Sequence, residues 1–157
     1  MNVCPIVRPV SLPDEYKVRW QDPDTIKKII QEYKTIAVVG ISPKPDRASC
    51  HVANYLLLHG FTVIPVNPRE TEVLGQKCYP SLEEIPFPVG VVDIFRRPDM
   101  VMPIVEAAIK IRAKAVWMQF DVINIEAGEL AEKNGLLVVM DKCIKIEHGD
   151  VVRKKAP

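Results

Sequence analysis

The stretch IAVVGISPKPDRASCHVANYLLLHG, residues 36–60, decides the fold that we predict for this chain. An apolar strand ends at Gly40, and a helical pattern resumes near Ser49 and stops before Gly60, a residue type that commonly terminates helices. Strand, loop and helix in this order open many nucleotide-binding α/β domains. The loop is unusual because prolines, serines, a lysine and an arginine stand where such domains usually have glycines.

The rest of the chain repeats this alternation. Its apolar runs are nearly continuous, which is typical of parallel strands covered on both faces. We therefore predict an α/β fold: a single domain with a Rossmann-like, doubly wound parallel sheet of about five strands and helices on both faces. The predicted strands are 35–40, 61–67, 89–95, 115–120 and 136–140. The predicted helices are 22–34, 47–59, a segment reaching about residue 112, and 124–134.

Local signals support several helix ends. Asp22 and Asn124 are suitable N-caps, and Gly135 follows the last predicted helix. The sequence from Ser81 to Glu84 fits a capping box, and Pro103 predicts a helix start that is kinked or in two pieces. Outside the domain, which we place at 22–148, residues 1–21 are predicted to form an extended, proline-rich arm, and 149–157 a polar tail.

Composition excludes several functional classes. The chain has 157 residues, 48% of them hydrophobic, and a formal net charge of +1, so bulk charge favours neither nucleic acid nor a membrane surface. We find neither an apolar run long enough for a membrane span nor a signal-peptide core. Without a Cys-x-x-Cys pair, a zinc site is not favoured, and we expect a cytoplasmic protein with reduced thiols. Its four cysteines are Cys4, Cys50, Cys78 and Cys143.

Basic residues follow three of the predicted strands. In doubly wound sheets ligands bind beyond the carboxyl ends of the strands, so these residues are predicted to share one rim. Guanidinium groups suit phosphate oxygens, and hydroxyls of Ser42 and Ser49 lie beside the free amides at the start of a helix. The alternative is that they are ordinary solvated surface residues. The five cations are Lys44, Arg47, Arg69, Arg96 and Arg97.

The loop does not favour a nicotinamide or flavin dinucleotide. Of the three glycines in that fingerprint only Gly40 is present, with Ser42 and Pro45 at the other two places. Asn67 and Pro68 stand where an acidic residue would bind the ribose diol, and the Gly-Lys-Ser/Thr of a P-loop is also missing. We expect phosphate to be bound by charge and hydroxyl groups more than by glycine amides.

Six segments together carry a family resemblance. They are VVGISPKPDRAS, VIPVNPRE, VLGQKCYPSLEEIP, VVDIFRR, AVWMQF and VVMDKCIKIEH, in this order, between about residues 24 and 148. They closely resemble the small stand-alone coenzyme A-binding proteins, which are similar to the CoA-binding domain of the succinyl-CoA synthetase alpha subunit and of NDP-forming acyl-CoA synthetases. The resemblance implies a Rossmann-like domain that binds CoA or an acyl-CoA. The net charge of +1 and the lack of a long apolar run predict no nucleic-acid or membrane partner.

The resemblance also implies roles for individual residues. The pyrophosphate would be held by Gly40, Ser42, Arg47 and Ser49, with Lys44 adding charge. The adenosine half would be flanked by Val66, Asn67 and Pro68, with Arg69 nearby, and the path toward the pantetheine arm would be lined by Phe95, Arg96 and Arg97. One departure is Asp121, which stands where the family commonly has glycine; we expect its side chain to face water or a helix terminus.

Catalysis by this chain alone is not favoured. In the related synthetases it needs a phosphohistidine segment and a partner domain, which a chain of this length does not include. We interpret His51 and His59 as packing or solvated residues, and His148 lies beside Glu147 in the tail without a nearby serine or cysteine in sequence. A mixed disulfide with CoA at Cys50, Cys78 or Cys143 stays open beside the interpretation of inert buried thiols.

Three functions remain open. The first is a non-catalytic module that binds CoA as a carrier or sensor. The second is the CoA-binding subunit of a synthetase-type enzyme with a partner chain, and the third is a redox-type Rossmann protein or a ligand-free interaction domain. A homodimer is a further alternative, because the N-terminal arm could wrap around a second copy.

Overall fold

The computed structural model describes residues 11–155 of the chain. In chain order its strands are β1 Thr35–Val39, β2 Thr62–Val66, β3 Glu72–Val73, β4 Gln76–Lys77, β5 Val91–Ile94, β6 Ala115–Met118 and β7 Leu137–Met140. Its α-helices are α1 Asp14–Trp20, α2 Pro23–Glu32, α3 Ala48–Leu58, α4 Val101–Lys110, α5 Ile125–Lys133 and α6 Ile144–Lys155. The predicted α/β fold with a five-stranded parallel sheet is confirmed.

The sheet has the order β2-β1-β5-β6-β7, with all neighbours parallel. This is the Rossmann order without its outermost third strand. A single parallel bridge between Tyr79 and Val66 takes the place of that strand. The Tyr79 amide donates to the Pro65 carbonyl at 3.0 Å, and the Asn67 amide donates to the Tyr79 carbonyl at 3.0 Å. The chain leaves β1 for β2 on one side and returns to β5 on the other, so the switch point lies between β1 and β5.

Helices cover both faces of the sheet. On one face α1, α4 and α5 pack over alternate strand residues such as Val39, Ile94 and Met118. On the other face α2, α3 and α6 pack over the remaining set, which includes Val38 and Trp117. Nearly every strand residue is buried, because both faces are covered, and this explains the continuous apolar runs in the sequence.

Two of the helix N-caps that the sequence predicts are present in the structure. The Asp22 carboxylate accepts the amide of Thr25 at 3.1 Å, and the Asn124 side chain accepts the amide of Ala127 at 3.0 Å. The predicted capping box at Ser81 is wrong: its side chain makes no cap bond, and only a 3₁₀ turn, Leu82–Glu84, follows. A second 3₁₀ turn, Pro98–Met100, precedes α4 and leaves Pro103 in the first helical turn, where its missing amide has no partner to lose.

Both ends of the described chain differ from the prediction. Residues 14–20 form α1 where an extended arm is predicted; the first ten residues of that arm, with Cys4, lie outside the described residues. The buried Trp20 packs against Gly128, where an added Cβ would lie 2.8 Å from the indole, and Arg19 pairs with Glu132. Residues 144–155 form α6 where a polar tail is predicted beyond residue 148.

The edge strand β7 is covered at its carboxyl end. The Gln21 side chain, which follows α1, donates to the carbonyl oxygens of Met140 and Asp141 at 3.0 and 3.3 Å. The opposite edge strand, β2, contains Pro65 and is bridged by Tyr79.

Candidate ligand-binding site

Three adjoining cavities lie at the carboxyl edge of the sheet, around the switch point. We call them the cleft (about 290 Å³), the loop cavity (about 310 Å³) and the chamber (about 380 Å³). Gly40 lines both the cleft and the loop cavity, Phe95 lines the loop cavity and the chamber, and Arg96 lines the cleft and the chamber. The three cavities therefore meet at the ends of β1 and β5, where the topology predicts a ligand.

Gly40 is required by close packing at this junction. Its φ is +85°, and an added Cβ would lie 2.4 Å from the Phe95 carbonyl oxygen and 2.7 Å from Cδ of Arg96. The aliphatic stem of Arg96 thus lies across Gly40, so the glycine allows both the left-handed backbone and the close approach of the two strand ends.

The loop cavity is formed by the loop after β1 and the start of α3. The Ser49 hydroxyl oxygen accepts the Ser42 amide at 2.9 Å, and the Ser42 hydroxyl oxygen accepts the Lys44 amide at 3.1 Å. Each hydroxyl then still has its own proton to donate. No side chain caps the first turn of α3, whose N-cap is Arg47, so amides at the positive end of the helix dipole stay available to an anion.

The predicted cations do not all line these cavities. Lys44 and Arg47 line the loop cavity, Arg96 lines the cleft and the chamber, and Arg97 lines the chamber, with its Nε 3.5 Å from Asp99. Arg69 is exposed and lines none of the three; its amide donates to the Asn67 side chain at 2.8 Å. The structure thus brings four of the five cations around one continuous space.

The cleft lies between the loop after β2 and the start of α4. Val66, Asn67 and Pro68 line it, as the resemblance implies for the adenosine side. The Asn67 side chain is committed to the backbone, because its Nδ2 donates to the Ile41 carbonyl at 2.8 Å and its Oδ1 accepts the Arg69 amide. It therefore holds the loops after β1 and β2 together. The other cleft walls include Pro80, Leu82, Met100, Ile104 and Ala107.

The chamber lies on the α3 side of β5 and β6. Its walls are mostly apolar, and they include Phe120, which is 54% exposed. Cys143 lines the chamber, whereas Cys50 and Cys78 are buried and line none of the three cavities. The remaining wall residues include Val52, Gln119, Asp121 and Val122.

A buried carboxyl group lies beside the chamber. Asp93, in β5, is fully buried; its Oδ1 accepts Nε2 of Gln119 at 2.7 Å, and its Oδ2 has no hydrogen-bond partner among the described residues. Burial raises the pKa of Asp93 from 3.8 to about 8, and the bond from Gln119 opposes this only in part. The group is therefore mostly protonated at neutral pH.

Asp121 follows β6 in the left-handed backbone region, with φ at 66°. Its amide donates to the Asp141 carboxylate at 2.8 Å, and its side chain is exposed, as we expect from the sequence. Glycine adopts this conformation without strain, which gives a physical reason for the glycine that the resembling family commonly has here.

The histidines lie elsewhere. His148 is buried near the amino ends of the strands, with its Nδ1 2.7 Å from the Tyr55 hydroxyl and its ring 5.2 Å from that of His59. Burial, with His59 and Lys34 nearby, lowers the pKa of His148. His51 is exposed on α3.

Within residues 11–155 no three His, Cys, Asp or Glu side chains form a candidate metal site, and no helix is long and apolar enough to cross a membrane.

Comparison with known proteins identifies the family. The sequence pattern of the CoA binding domain matches residues 34–149. The chain belongs to this CoA-binding domain family. The relative YneT from Bacillus subtilis, a protein of unassigned function, is 41% identical over 123 residues, which are 78% of this chain and 91% of YneT. An ADP-forming acetate–CoA ligase from Archaeoglobus fulgidus is 31% identical over 71% of this chain, but this is only 18% of the ligase.

Solved structures of similar sequence have the same fold. A hypothetical protein from Pyrococcus horikoshii OT3 matches with a TM-score of 0.81 at 47% identity, and the match covers 83% of the present chain and 92% of that protein's chain. The apo dinucleotide-forming acetyl-coenzyme A synthetase 1 of Ca. Korarchaeum cryptofilum matches with a TM-score of 0.62 at 25% identity. This match covers 71% of the present chain and 26% of the synthetase chain. The family resemblance inferred from the sequence is thereby confirmed.

Several cavity residues were not predicted from the sequence. The 3₁₀ segment with Ser81 and Glu83 enters the cleft because the Tyr79 bridge places it beside Asn67, and no strand pattern marks that bridge. Gln119 lies inside the predicted strand 115–120 and resembles a core residue in the sequence, and Cys143 is predicted only as one of three candidate cysteines for a disulfide with CoA. The structure ends β6 at Met118, so Gln119 follows the strand and lines the chamber.

Proposed function

We propose that this protein binds coenzyme A or an acyl-CoA as a non-catalytic binding, carrier or sensor module. The observation that carries the proposal is the junction of three chemically different cavities at Gly40 and Phe95. CoA has three matching parts: an adenosine 3′-phosphate, a diphosphate and a long pantetheine arm.

The residues present fit each part. In the loop cavity, uncapped amides of α3, two serine hydroxyls and two cations suit a diphosphate. The mostly apolar cleft, with the hydroxyl group of Ser81 at its wall, suits an adenosine. The chamber suits the pantetheine arm, because most of its walls, such as Phe95 and Phe120, are apolar. When bound, CoA would supply a thiol that carries acyl groups as thioesters.

The test is calorimetric titration of CoA into the protein and into the variants Arg47→Ala and Arg96→Ala. Each lost charge-assisted contact is expected to weaken binding by about 1–3 kcal/mol, roughly 5- to 150-fold in Kd. Arg153→Ala on α6 is the matched control, because that exposed arginine pairs with Asp150 and lines none of the three cavities. Unchanged affinity in both site variants would overturn the assignment of the rim.

A redox-type Rossmann protein is the competing function. We expect CoA to raise the unfolding temperature and NAD to leave it unchanged, since the loop lacks two of the three fingerprint glycines. A larger shift with NAD than with CoA would favour the redox alternative.

A second candidate is a CoA-binding subunit of a synthetase-type enzyme. The identity with the acetate–CoA ligase favours it, and the matched region would then need a partner chain for catalysis. We expect the purified protein, given acetate, ATP and CoA, to form no acetyl-CoA. Formation of acetyl-CoA by the chain alone would contradict the non-catalytic proposal.

A further inference from the structure

Packing of the fold does not explain why the carboxyl group of Asp93 is buried with one oxygen unpaired. Asp93 is fully buried, and its Oδ2 is the one buried side-chain oxygen or nitrogen without a partner among the described residues. Leaving such a group unpaired is costly, so a residue kept only for packing would be apolar, as its strand neighbours Val92 and Ile94 are.

Asp93 is linked directly to the chamber. Along β5, Asp93 and Phe95 project to the same face of the sheet, and Phe95 is a wall of the chamber. The single partner of Asp93, Gln119, is also a wall of the chamber and is 3% exposed. The carboxyl group therefore lies immediately behind a polar side chain that lines a mostly apolar chamber.

The hydrogen bond fixes which way Gln119 presents its amide. Its Nε2 donates to Asp93 at 2.7 Å, which leaves its carbonyl oxygen to accept a hydrogen bond from the chamber side. Asp121 also lines the chamber and has acceptor oxygens, but it is exposed, whereas Gln119 is buried among apolar walls such as Phe95. A ligand arm with secondary amides matches this buried acceptor beside apolar walls.

We propose that Asp93 is a positioning residue that orients Gln119 to accept an amide N–H of a pantetheine-type arm, and that binding weakens when Asp93 loses its proton. The proposal rests on the proposed function, because it takes the arm to belong to CoA. A charge on Asp93 would lie behind a site for a polyanion and would disfavour the bound state.

Other ionisable groups around the chamber define what the pH test must separate. Arg96 and Arg97 come from the end of β5, Asp121 follows β6, and Cys143 follows β7, while α3 contributes only Ala48 and Val52. Burial raises the pKa of Asp93 to about 8, with no charged group among its causes. The control for the pH test is a variant of Cys143, because this thiol also lines the chamber.

The experiment compares two ligands that differ only in the arm. Acetyl-CoA, whose thiol is blocked, and 3′-phospho-ADP, which has no arm, are titrated into wild type and Gln119→Met. The variant is expected to lose about tenfold or more in affinity for acetyl-CoA and to keep its affinity for 3′-phospho-ADP. Equal losses for both ligands, or none for either, would overturn the inference. If acetyl-CoA did not bind the wild-type protein, the proposed function itself would instead be overturned.

The pH dependence separates positioning from packing. Between pH 7 and 9 wild-type affinity for acetyl-CoA is expected to fall several-fold, while Asp93→Asn, which keeps an acceptor for Gln119, binds with the same affinity across this range. Cys143→Ser is the control and should retain the wild-type fall. Parallel profiles for wild type and Asp93→Asn would refute the role of Asp93 even if Gln119→Met proved too unstable to purify.

Discussion

The buried Asp93 should make the free energy of unfolding fall as pH rises, and this pH dependence should be absent in the variant Asp93→Asn. The pKa of Asp93 is 3.8 in its usual state and about 8 in the fold. Between these values the folded state keeps a proton that the unfolded chain has released, so the free energy of unfolding falls as pH rises. The slope is about 1.4 kcal/mol per pH unit, which amounts to about 2.7 kcal/mol between pH 5 and pH 7. Above about pH 8 the effect is constant.

Urea unfolding of wild type and Asp93→Asn at pH 5, 6 and 7 measures this directly. The buried Trp117, whose indole donates to the Lys142 carbonyl, provides the fluorescence signal. Asparagine does not titrate, so the stability of the variant relative to wild type should increase by about 2.7 kcal/mol over this range. The exposed Asp99 supplies the control variant, Asp99→Asn, which should follow wild type. A difference between wild type and Asp93→Asn that stays constant with pH would refute the reasoning.

Three further predictions concern glycines and a thiol. Gly40→Ala should destabilise the protein by more than Gly60→Ala and also weaken CoA binding: both residues have positive φ, worth about 1–2 kcal/mol, but a Cβ meets neighbouring atoms only at Gly40. Chemical denaturation and calorimetry check both effects, and equal losses would contradict the packing argument. Cys143 should be alkylated faster than the other buried cysteines and be protected by CoA, as peptide mass mapping would show; protection at a different cysteine would place the arm elsewhere. Gly128→Ala should displace Trp20 and expose its indole, seen as a red-shifted emission, since an added Cβ would lie 2.8 Å from that ring. An unshifted spectrum would show that α1 packs differently.

The sheet could be predicted from the sequence because its signals are local. Each strand is a continuous apolar run, and the helix caps at Asp22 and Asn124 are formed by residues three positions from their partners. The helix α1 could not be predicted in this way. Its sequence DEYKVRW has few apolar residues, and its contacts, from Tyr16 to Glu129 and from Trp20 to Glu132, join residues more than one hundred positions apart.

The candidate site also has one part that sequence signals predict and another part that they do not. The loop residues, from Gly40 to Ser49, and the basic residues after β5 could be placed because the carboxyl ends of parallel strands share one edge. The chamber could be placed only in part: Phe95, Arg96 and Arg97 follow from the end of β5, whereas the role of Gln119 as a wall is visible only from the cavity that it lines. The sequence places Asp93 inside the predicted apolar strand 89–95, but that one of its oxygens lacks a partner depends on which side chains reach it in the fold.

The two edges of the sheet limit how copies of this chain can associate. At β2 the Pro65 carbonyl is already bonded to Tyr79, and proline has no amide to offer a further strand. At β7 the carbonyl oxygen of Met140 is occupied by Gln21. Neither edge presents an open ladder at its carboxyl end, so the sheet is poorly suited to be extended by a neighbouring molecule. Association of two copies through other surfaces, such as those of the helices, is accordingly expected over extension of the sheet.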